Sequence, residues 1–206
     1  MTRGDKEMGS RNKARLLVAL SAIAVSVSGT MTATAAPLND RAGSEVARFA
    51  TQARDAGLST TQARQLQRTI DTRLAQMQIG AHQVGFNEIM TDDGSAKVTL
   101  SVPGAKAPGD RRCNGGRLCL WAGDFYDHDK VTLYYCKFTD LGKLKPAWND
   151  RLTSYLNFQT KGTKAKFYNY KSGKFQLRFT STAPHREPDL GRYPGLNNMI
   201  DGVKPC

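Results

Sequence analysis

The sequence predicts a mostly β protein: a double Greek-key sandwich in the C-terminal half, preceded by a small helix–helix–hairpin module and an export signal. From residue 113 onward, short β-prone runs are separated by Gly, Asp and Asn, and no helical period competes with them. Motifs in that region recur at an interval of about 48 residues, as from Asn149 to Asn197, which is typical of a duplicated unit. One short apolar run lies near the N-terminus.

The first 35 residues have the order of a secretory signal peptide. Basic residues precede the apolar run Leu16–Val27, and Ala33-Thr34-Ala35 forms a small-x-small cleavage site. The apolar run is shorter than the roughly 20 residues that a membrane-spanning helix needs, so a membrane anchor is the less favoured alternative. The sequence therefore predicts a signal peptide over residues 1–35, secretion to the extracellular space and no stable membrane insertion.

The chain is strongly basic, and the basic excess is uneven. Its 206 residues include 30 Lys+Arg and 18 Asp+Glu, a formal net charge of +12. Residues 36–108 carry eight positive and seven negative side chains, whereas residues 109–206 carry seventeen and nine. This asymmetry predicts two modules. A solvated surface is the favoured interpretation of the charge. Attraction to an acidic wall polymer or peptidase is an alternative, and no recognised motif supports a nucleic-acid partner.

Export also bears on the four cysteines, Cys113, Cys119, Cys136 and Cys206, which all lie in the C-terminal half. An even number in an oxidising compartment favours two disulfides over a metal site. Three pairings are open, and we favour a local Cys113–Cys119 bridge with Cys136 joined to the last residue. Zinc is the alternative, but the spacing of five residues between the first two cysteines is a poor match to zinc-binding pairs.

Ahead of the cysteines, residues 36–102 are predicted to form a small helical module with a β-hairpin. A Pro- and Gly-rich stretch, residues 103–112, is the predicted linker to the β-sandwich of residues 113–206. A prosegment, a partner-docking module and a stabilising cap are alternative roles for the N-terminal module.

Capping and periodicity place the elements of this module. A first helix runs from a cap at Ser44 to Gly57, and Ser59 with the glutamine three residues later forms a capping box for a second. That second helix has an apolar stripe at spacings of three and four, formed by Ala63, Leu66, Ile70, Leu74 and Met77. Residues 84–90 and 96–102 predict two strands, joined by an Asp-Asp-Gly turn.

Within the C-terminal half, two further motifs repeat in the same order. Residues 140–143, Asp-Leu-Gly-Lys, recur as Asp-Leu-Gly-Arg at 189–192, and Asn149-Asp150 recurs as Asn197-Asn198. A repeat of this length with about four strands per copy indicates a duplicated Greek key.

These residues also carry a family resemblance. Cys113-x5-Cys119-Leu120-Trp121, the aromatic Tyr126 five residues after that tryptophan, and the run 149–154 leading into Tyr155-Leu156-Asn157 resemble the βγ-crystallin fold. Within that fold, the pattern is similar to the small secreted metallopeptidase inhibitors of actinobacteria. The resemblance covers about residues 113–206 and implies a two-motif β-sandwich.

The sequence departs from the crystallin pattern in three places. His128 stands where the folded turn usually carries glycine, and the second repeat is shorter, with Gly173 five residues after Tyr168. The run 197–202 also lacks the Ser/Thr-Ser ending of its counterpart. The first copy therefore fits the family pattern better than the second.

In the crystallin family, the motif N/D-N/D-x-x-S/T-S marks a calcium site. The matching run implies Asn149, Asp150, Thr153 and Ser154 as ligands, with Asn197, Asn198 and Asp201 supplied by the partner loop. Such oxygen donors suit Ca²⁺. The alternative is a polar turn whose side chains bond its own backbone, and Arg151 beside the run weakens cation binding.

The sequence favours a protein that is not an enzyme. It contains no His-Glu-x-x-His helix and no Gly-x-Ser-x-Gly elbow. One turn does gather titratable groups, Asp124, Asp127, His128 and Asp129. A solvated acidic turn is favoured over a metal site there. No cofactor is required on this interpretation, and Ca²⁺ is the one candidate ion.

The leading hypothesis is a secreted inhibitor that fills the cleft of an extracellular metallopeptidase with a rigid loop. The family resemblance assigns no residue to that loop, and Asp124–Lys130 and Ala183–Tyr193 are the two candidates. The alternative is a non-inhibitory calcium-binding or structural crystallin-type module, and a third hypothesis is a cationic antimicrobial or wall-associated protein. The target peptidase and the oligomeric state stay open.

Overall fold

The structure is a computed structural model that describes residues 47–102, 111–144 and 148–206. The predicted signal peptide, its cleavage site and the Ser44 cap lie outside the described residues. Residues 103–110 of the predicted linker also lie outside them.

The described part of the chain has two helices followed by short strands. The helices are α1 (Ala50–Asp55) and α2 (Thr60–Gln76), and the strands are β1 (Ala81–Gly85), β2 (Glu88–Thr91), β3 (Ala96–Thr99), β4 (Leu118–Trp121), β5 (Lys130–Leu133), β6 (Thr139–Asp140), β7 (Ser154–Asn157), β8 (Lys164–Lys171), β9 (Lys174–Thr182), β10 (His185–Glu187) and β11 (Gly202–Lys204). Short 3₁₀ turns occur at Asp124–Tyr126, Leu141–Lys143 and Leu190–Arg192.

Two antiparallel sheets form the sandwich, and they exchange strands. The seven-stranded sheet has the order β1-β2-β3-β5-β4-β7-β10, and the four-stranded sheet has the order β6-β11-β8-β9. The first Greek key comprises β4 to β7, but its third strand, β6, pairs with β11 of the second key. In return β10, the third strand of the second key, pairs with β7. The predicted mostly β, double Greek-key fold is therefore confirmed.

The N-terminal strands belong to the same sheet as the sandwich. Strand β3 pairs with β5 from Ala96 opposite Leu133 to Thr99 opposite Lys130. Composition predicted a separate module for these strands, whereas in the structure they extend the larger sheet. Without β3, strand β5 would be at the edge of the sheet with unpaired N–H and C=O groups. The pairing with β3 satisfies these groups. Buried side chains of α2, β2 and β3 share one hydrophobic cluster with those of the sandwich.

One strand prediction was wrong in this region. Residues 84–90 were expected to form a single strand, but a turn at Phe86 and Asn87 divides them between β1 and β2. The Asn87 side chain donates to the Leu100 carbonyl at 2.8 Å, and the Asn87 carbonyl accepts from the Leu100 N–H at 2.8 Å. Because apolar residues alternate on both sides of the turn, the sequence there has the pattern of one continuous strand.

The capping box predicted for α2 is confirmed. The Ser59 hydroxyl accepts from the Gln62 N–H at 3.3 Å, and the Gln62 side chain accepts from the Ser59 N–H at 2.8 Å. The helix buries Leu66 and Ile70 of the predicted stripe, and the other members of the stripe pack against the same cluster. The helix therefore covers part of the sandwich through the face that its periodicity indicated.

One buried carboxylate fastens α2 to the sandwich. Asp129, just before β5, accepts from the Arg73 guanidinium at 2.9 Å and from the Ser101 N–H at 2.8 Å. Burial alone would raise the pKa of the Asp129 carboxyl, but the Arg73 charge and the Ser101 hydrogen bonds outweigh it, so the pKa lies below its ordinary value. Asp129 therefore joins the helix, the segment after β3 and the start of β5.

We expect Asp129→Asn to lower the free energy of unfolding by about 3 kcal/mol at pH 7, because it leaves the partly buried Arg73 guanidinium without its countercharge. A depressed pKa gives stability that is present above the ordinary aspartate pKa of about 3.9 and is lost as the pH falls through the folded value. The difference between wild type and variant should therefore shrink below about pH 4. Urea unfolding across pH 3–8 measures this difference in the free energy of unfolding.

The exposed Asp55 at the end of α1 supplies the matched control. Asp55→Asn should stay within about 0.5 kcal/mol of wild type at pH 7. Equal losses in the two variants would contradict the role given to Asp129.

Candidate functional site

The junction between the two Greek keys has near-equivalent backbone contacts on its two sides. The Thr153 N–H donates to the Trp121 carbonyl at 3.0 Å, and the Asp201 N–H donates to the Tyr168 carbonyl at 2.8 Å. Thr153 and Asp201 are therefore counterparts, as the repeat in the sequence implied.

The two predicted calcium loops meet at this junction. The Asp150 N–H donates to the Ile200 carbonyl and the Asn198 N–H donates to the Leu152 carbonyl, both at 3.2 Å. Asp150 and Asn198 both have left-handed backbone, with φ of +57° and +52°. Asn and Asp tolerate this region better than most residues do. The loops thus approach each other in the way that the resemblance implied.

The predicted ligands divide between different places. Asn149, Asp150 and Asp201 line a cavity of about 470 Å³. The Thr153 hydroxyl instead lies 3.2 Å from the Asn198 side-chain oxygen, outside that cavity.

The remaining two candidates do not join either group. Ser154 is fully buried, and its hydroxyl donates to the Gly123 carbonyl at 2.7 Å and accepts from the Tyr126 N–H at 3.1 Å. Asn197 is exposed, beside Gly191. Ser154 therefore holds the turn after β4 in place, a role that makes its hydroxyl a poor ion ligand.

One acidic residue at the cavity, Asp140, was not among the ligands predicted from the sequence. Its carboxylate also accepts from the Gly142 N–H at 3.0 Å, which caps the 3₁₀ turn. The Asp-Leu-Gly-Lys repeat was noticed in the sequence, but only as a repeat. Nothing else in the sequence marked Asp140 as a ligand, because only the fold places it at the cavity.

The electrostatics of the cavity favour a cation. Burial, together with the negative charges of Asp150 and Asp140, raises the pKa of the Asp201 carboxyl, although the Tyr170 N–H at 2.6 Å acts in the opposite sense. The side-chain oxygen of Asn149 is buried and has no hydrogen-bond partner in the described part of the chain. Lys143 at the cavity wall opposes cation binding.

Carboxylates alone do not make a metal centre here. Within residues 47–102, 111–144 and 148–206, no three His, Cys, Asp or Glu side chains are grouped closely enough to hold a metal ion. A Ca²⁺ ion in this cavity would therefore need the Asn149 amide oxygen or backbone carbonyls besides the carboxylates, which are ordinary ligands for calcium.

A second surface brings together the two loops that the sequence offered as inhibitory candidates. The Phe125 N–H donates to the Pro188 carbonyl at 2.7 Å, which joins the turn after β4 to the segment after β10. Phe125 is 58% exposed and Tyr193 is 47% exposed. We call residues 124–128 and 186–193 the loop face.

Left-handed backbone shapes the first part of the loop face. Phe125, Tyr126 and His128 have φ of +51°, +64° and +66°. His128 thus keeps the conformation that glycine usually provides at this position, and its N–H donates to the Asp127 side chain at 2.8 Å. Such conformations cost of order 1–3 kcal/mol each and persist where surrounding contacts fix them.

The contacts that fix this turn come from a small cluster on the larger sheet. The Tyr126 ring lies edge-on to Trp121, with ring centroids 5.3 Å apart. Cys119, Trp121 and Leu156 form the buried part of this cluster, and Cys113 packs against it. The disulfide between Cys113 and Cys119 therefore stiffens the support beneath the loop face.

Glu187 organises the second part of the loop face. It is 4% exposed, and its carboxylate accepts from the Asp189 N–H at 3.1 Å and pairs with Arg192 at 3.4 Å. A hydrogen bond with Glu187, and the negative charge of that residue, raise the pKa of the Tyr193 hydroxyl. Arg186 lies over the Phe158 ring, 4.7 Å from its centroid.

The cysteines pair as the sequence favoured. Cys113 is bonded to Cys119, and Cys136 is bonded to Cys206. The second bridge ties the last residue to the segment between β5 and β6, so both ends of the second Greek key are fixed to the first.

The titratable turn noted in the sequence does not gather its side chains around one point. Asp129 is buried against Arg73, whereas His128 is exposed and its nearest carboxylate is that of Asp127 at 3.8 Å. This separation agrees with the favoured interpretation of the turn as solvated, apart from the buried Asp129.

Two solved structures are similar to part of this chain. The first is described as "Evolution of the eye lens beta-gamma-crystallin domain fold". It is 16% identical, with 52% of this chain and 94% of that chain covered and a TM-score of 0.38. The second is a double mutant of a βγ-crystallin domain from Clostridium beijerinckii. It is 20% identical, with 43% and 93% of the two chains covered and a TM-score of 0.34.

No protein-family model matches the sequence, and a comparison with curated proteins finds no match. The fold itself is described by its topology: two antiparallel sheets in which the two Greek keys exchange their third strands. Among the described residues, no helix is both long and apolar enough to cross a bilayer.

Strain at His128 gives a testable consequence. We expect His128→Gly to raise the free energy of unfolding by about 1 kcal/mol, because glycine adopts left-handed backbone without a Cβ penalty. Chemical denaturation measures this change. His128→Ala is the matched control, since it removes the imidazole and keeps the Cβ, and it should not be stabilising. A glycine variant less stable than the alanine variant would mean that the turn carries no relievable strain.

Proposed function

We propose that the protein is a secreted, non-catalytic inhibitor that occludes the cleft of an extracellular metallopeptidase with its loop face. The observation that carries this proposal is the exposed Phe125 on a backbone that both Greek keys hold fixed. The choice of a metallopeptidase as target comes from the family resemblance of the sequence, and secretion comes from its predicted signal peptide.

The loop face has the composition of a binding surface. Buried aromatic and arginine side chains dominate the energy of protein interfaces, and this face presents Phe125, Tyr193 and Arg192. Its backbone is held before any partner arrives by Ser154, by Pro188 and by the disulfide-supported cluster. A surface ordered in advance loses less conformational entropy on binding, which favours tight occlusion of a cleft.

The test measures inhibition by the purified chain without its signal peptide. We expect it to inhibit one or more secreted zinc metallopeptidases and to spare secreted serine peptidases. Phe125→Ala should weaken inhibition at least roughly tenfold, since loss of an interface anchor typically costs about 2 kcal/mol.

Leu177→Ala is the matched control for Phe125→Ala, because Leu177 is similarly exposed but lies on β9 of the other sheet. It should inhibit as wild type does. Absence of inhibition across a broad panel of metallopeptidases, or equal inhibition by Phe125→Ala, would refute the proposal.

The acidic cavity supports a second candidate function, a calcium-stabilised structural module. Its supporting observation is the buried, unpartnered Asn149 oxygen beside Asp150 and Asp201, whose charges repel each other. Bound Ca²⁺ would neutralise these carboxylates and link the two Greek keys through Asp150 and Asp201.

Calcium binding is tested by thermal and chemical unfolding with and without CaCl₂. At 100 times the dissociation constant, Ca²⁺ should stabilise the wild type by about 2.7 kcal/mol. Asp150→Asn should lose most of this stabilisation while its left-handed backbone is retained, because asparagine also tolerates that region. Asp189→Asn is the control, since it changes the equivalent repeat motif outside the cavity. An equal response of wild type and Asp150→Asn would contradict this function.

The pH dependence provides an independent readout. Because the pKa of Asp201 is raised in the folded state, the folded chain binds the proton more tightly than the unfolded chain does. Its contribution to stability is therefore greatest at low pH and falls as the pH rises through the folded value. Ca²⁺ should flatten this dependence in the wild type, and Asp201→Asn should remove it.

A further inference from the structure

The outer side of the four-stranded sheet carries a row of lysines. On β8, Ala165 and Phe167 point into the core and are fully buried. Lys164 and Lys166, which alternate with them along the strand, therefore point outward. Val203 on β11 is likewise buried, which directs Lys204 outward. Lys166 lies directly opposite Lys204 in the sheet. We call Lys164, Lys166 and Lys204 the basic face.

The hairpin of β8 and β9 contains no acidic residue of its own, and the acidic cavity borders it only at Tyr170 and Phe175. Residues 157–184 include no Asp or Glu and have six basic residues, Lys161, Lys164, Lys166, Lys171, Lys174 and Arg178. Among the described residues, no salt bridge involves any of these six or Lys204. The cations of the basic face therefore stand without countercharges in the described part of the chain.

The arrangement costs the free protein stability. Like charges directly opposite each other across strands are destabilising, and this occurs at Lys166 with Lys204 and again at Lys171 with Lys174. Surfaces that serve only for solubility usually intersperse both signs of charge. The sheet therefore keeps a local excess of positive charge that an anionic ligand would relieve.

Apolar groups lie beside the lysines on the same side of the sheet. Tyr168 pairs with Leu177, and Tyr170 pairs with Phe175. Tyr170 and Leu177 are each 54% exposed. Along β8 the outward positions thus run from Lys164 and Lys166 to Tyr168 and Tyr170, about 20 Å from end to end at the usual rise per residue.

The chemistry of this strip favours phosphate over carboxylate. Five of the six basic residues are lysines, and lysine binds phosphate as a point charge, whereas arginine is preferred for two-pronged contacts with carboxylates. Lysine is also depleted in protein–protein interfaces. Successive outward lysines on one strand are about 6.6 Å apart, a spacing that suits a linear polymer with regularly placed phosphates.

We propose that the basic face binds a linear phosphodiester polymer of the outer cell surface, of the poly(glycerol phosphate) type. The polymer lies along β8, its phosphates contact Lys164, Lys166 and Lys204, and its alditol units lie over the exposed rings. The basic face is separate from the loop face, so this binding does not depend on peptidase inhibition.

The test titrates the chain without its signal peptide against poly(glycerol phosphate), by calorimetry at several salt concentrations. Affinity should fall steeply with salt, because bound phosphates release counterions. The triple variant Lys164→Gln/Lys166→Gln/Lys204→Gln should bind at least roughly tenfold more weakly at about 0.1 M salt and with a smaller salt dependence. Its free energy of unfolding should equal or exceed that of wild type, since a like-charge pair is removed.

The matched control removes the same charge elsewhere. Arg54→Gln/Arg64→Gln/Arg68→Gln changes three exposed residues of α1 and α2 and should bind within about threefold of wild type. Equal weakening of the two triple variants would overturn the proposal, because binding would then follow net charge alone. Tighter binding to single-stranded oligonucleotide, to polyglutamate or to vesicles of anionic lipid than to poly(glycerol phosphate) would also overturn it.

Discussion

In each Greek key of this molecule, the third strand pairs with a strand of the other key instead of with its own key. Strand β6 leaves the first key to pair with β11, and β10 leaves the second key to pair with β7. Since these strands have only two and three residues, neither would be stable as an isolated pair. The exchange makes the two keys a single folding unit. It also brings the two predicted calcium loops, and the two parts of the loop face, into contact.

The sequence predicted those features of the fold that depend on local chemistry. The sequence predicted the Ser59 capping box and the apolar stripe of α2, and the disulfide pairing in the structure is the one it favoured among three. Each of them depends on residue types at short spacings or on the redox environment of the chain. The resemblance to the crystallins implied a two-motif β-sandwich, but not which strands the two Greek keys exchange.

What the sequence did not predict depends on contacts between distant segments. The pairing of β3 with β5 joins residues on either side of the Pro/Gly-rich stretch, and composition there favoured a boundary. Asp140 gave no ligand signal of its own, because only the fold places it beside Asp150 and Asp201. The fold therefore brings Asn149, Asp150 and Asp201 to one cavity together with Asp140, and it leaves the other predicted ligands outside that cavity.

The structure of the second repeat explains why the run 197–202 lacks the Ser/Thr-Ser ending of its counterpart. Gly202 occupies the position equivalent to Ser154, and a Cβ there would come within 2.6 Å of the Phe138 ring and 2.9 Å of the Phe175 ring. Aromatic rings fill the space that a hydroxyl and a folded turn occupy in the first copy. The second copy thus has an apolar support where the first has a hydrogen-bonded one, and these rings lie beside the lysines on its outer surface.

The pairing of β3 with β5 also has a consequence for proteolytic cleavage of the chain. A peptidase that cut the chain between these strands would break one covalent bond and leave the hydrogen-bonded sheet and the shared hydrophobic cluster intact. The two fragments would stay together as a nicked complex. Loss of the N-terminal piece would instead uncover a strand edge and the apolar side chains beneath α2, so release of that piece would favour aggregation of the remainder.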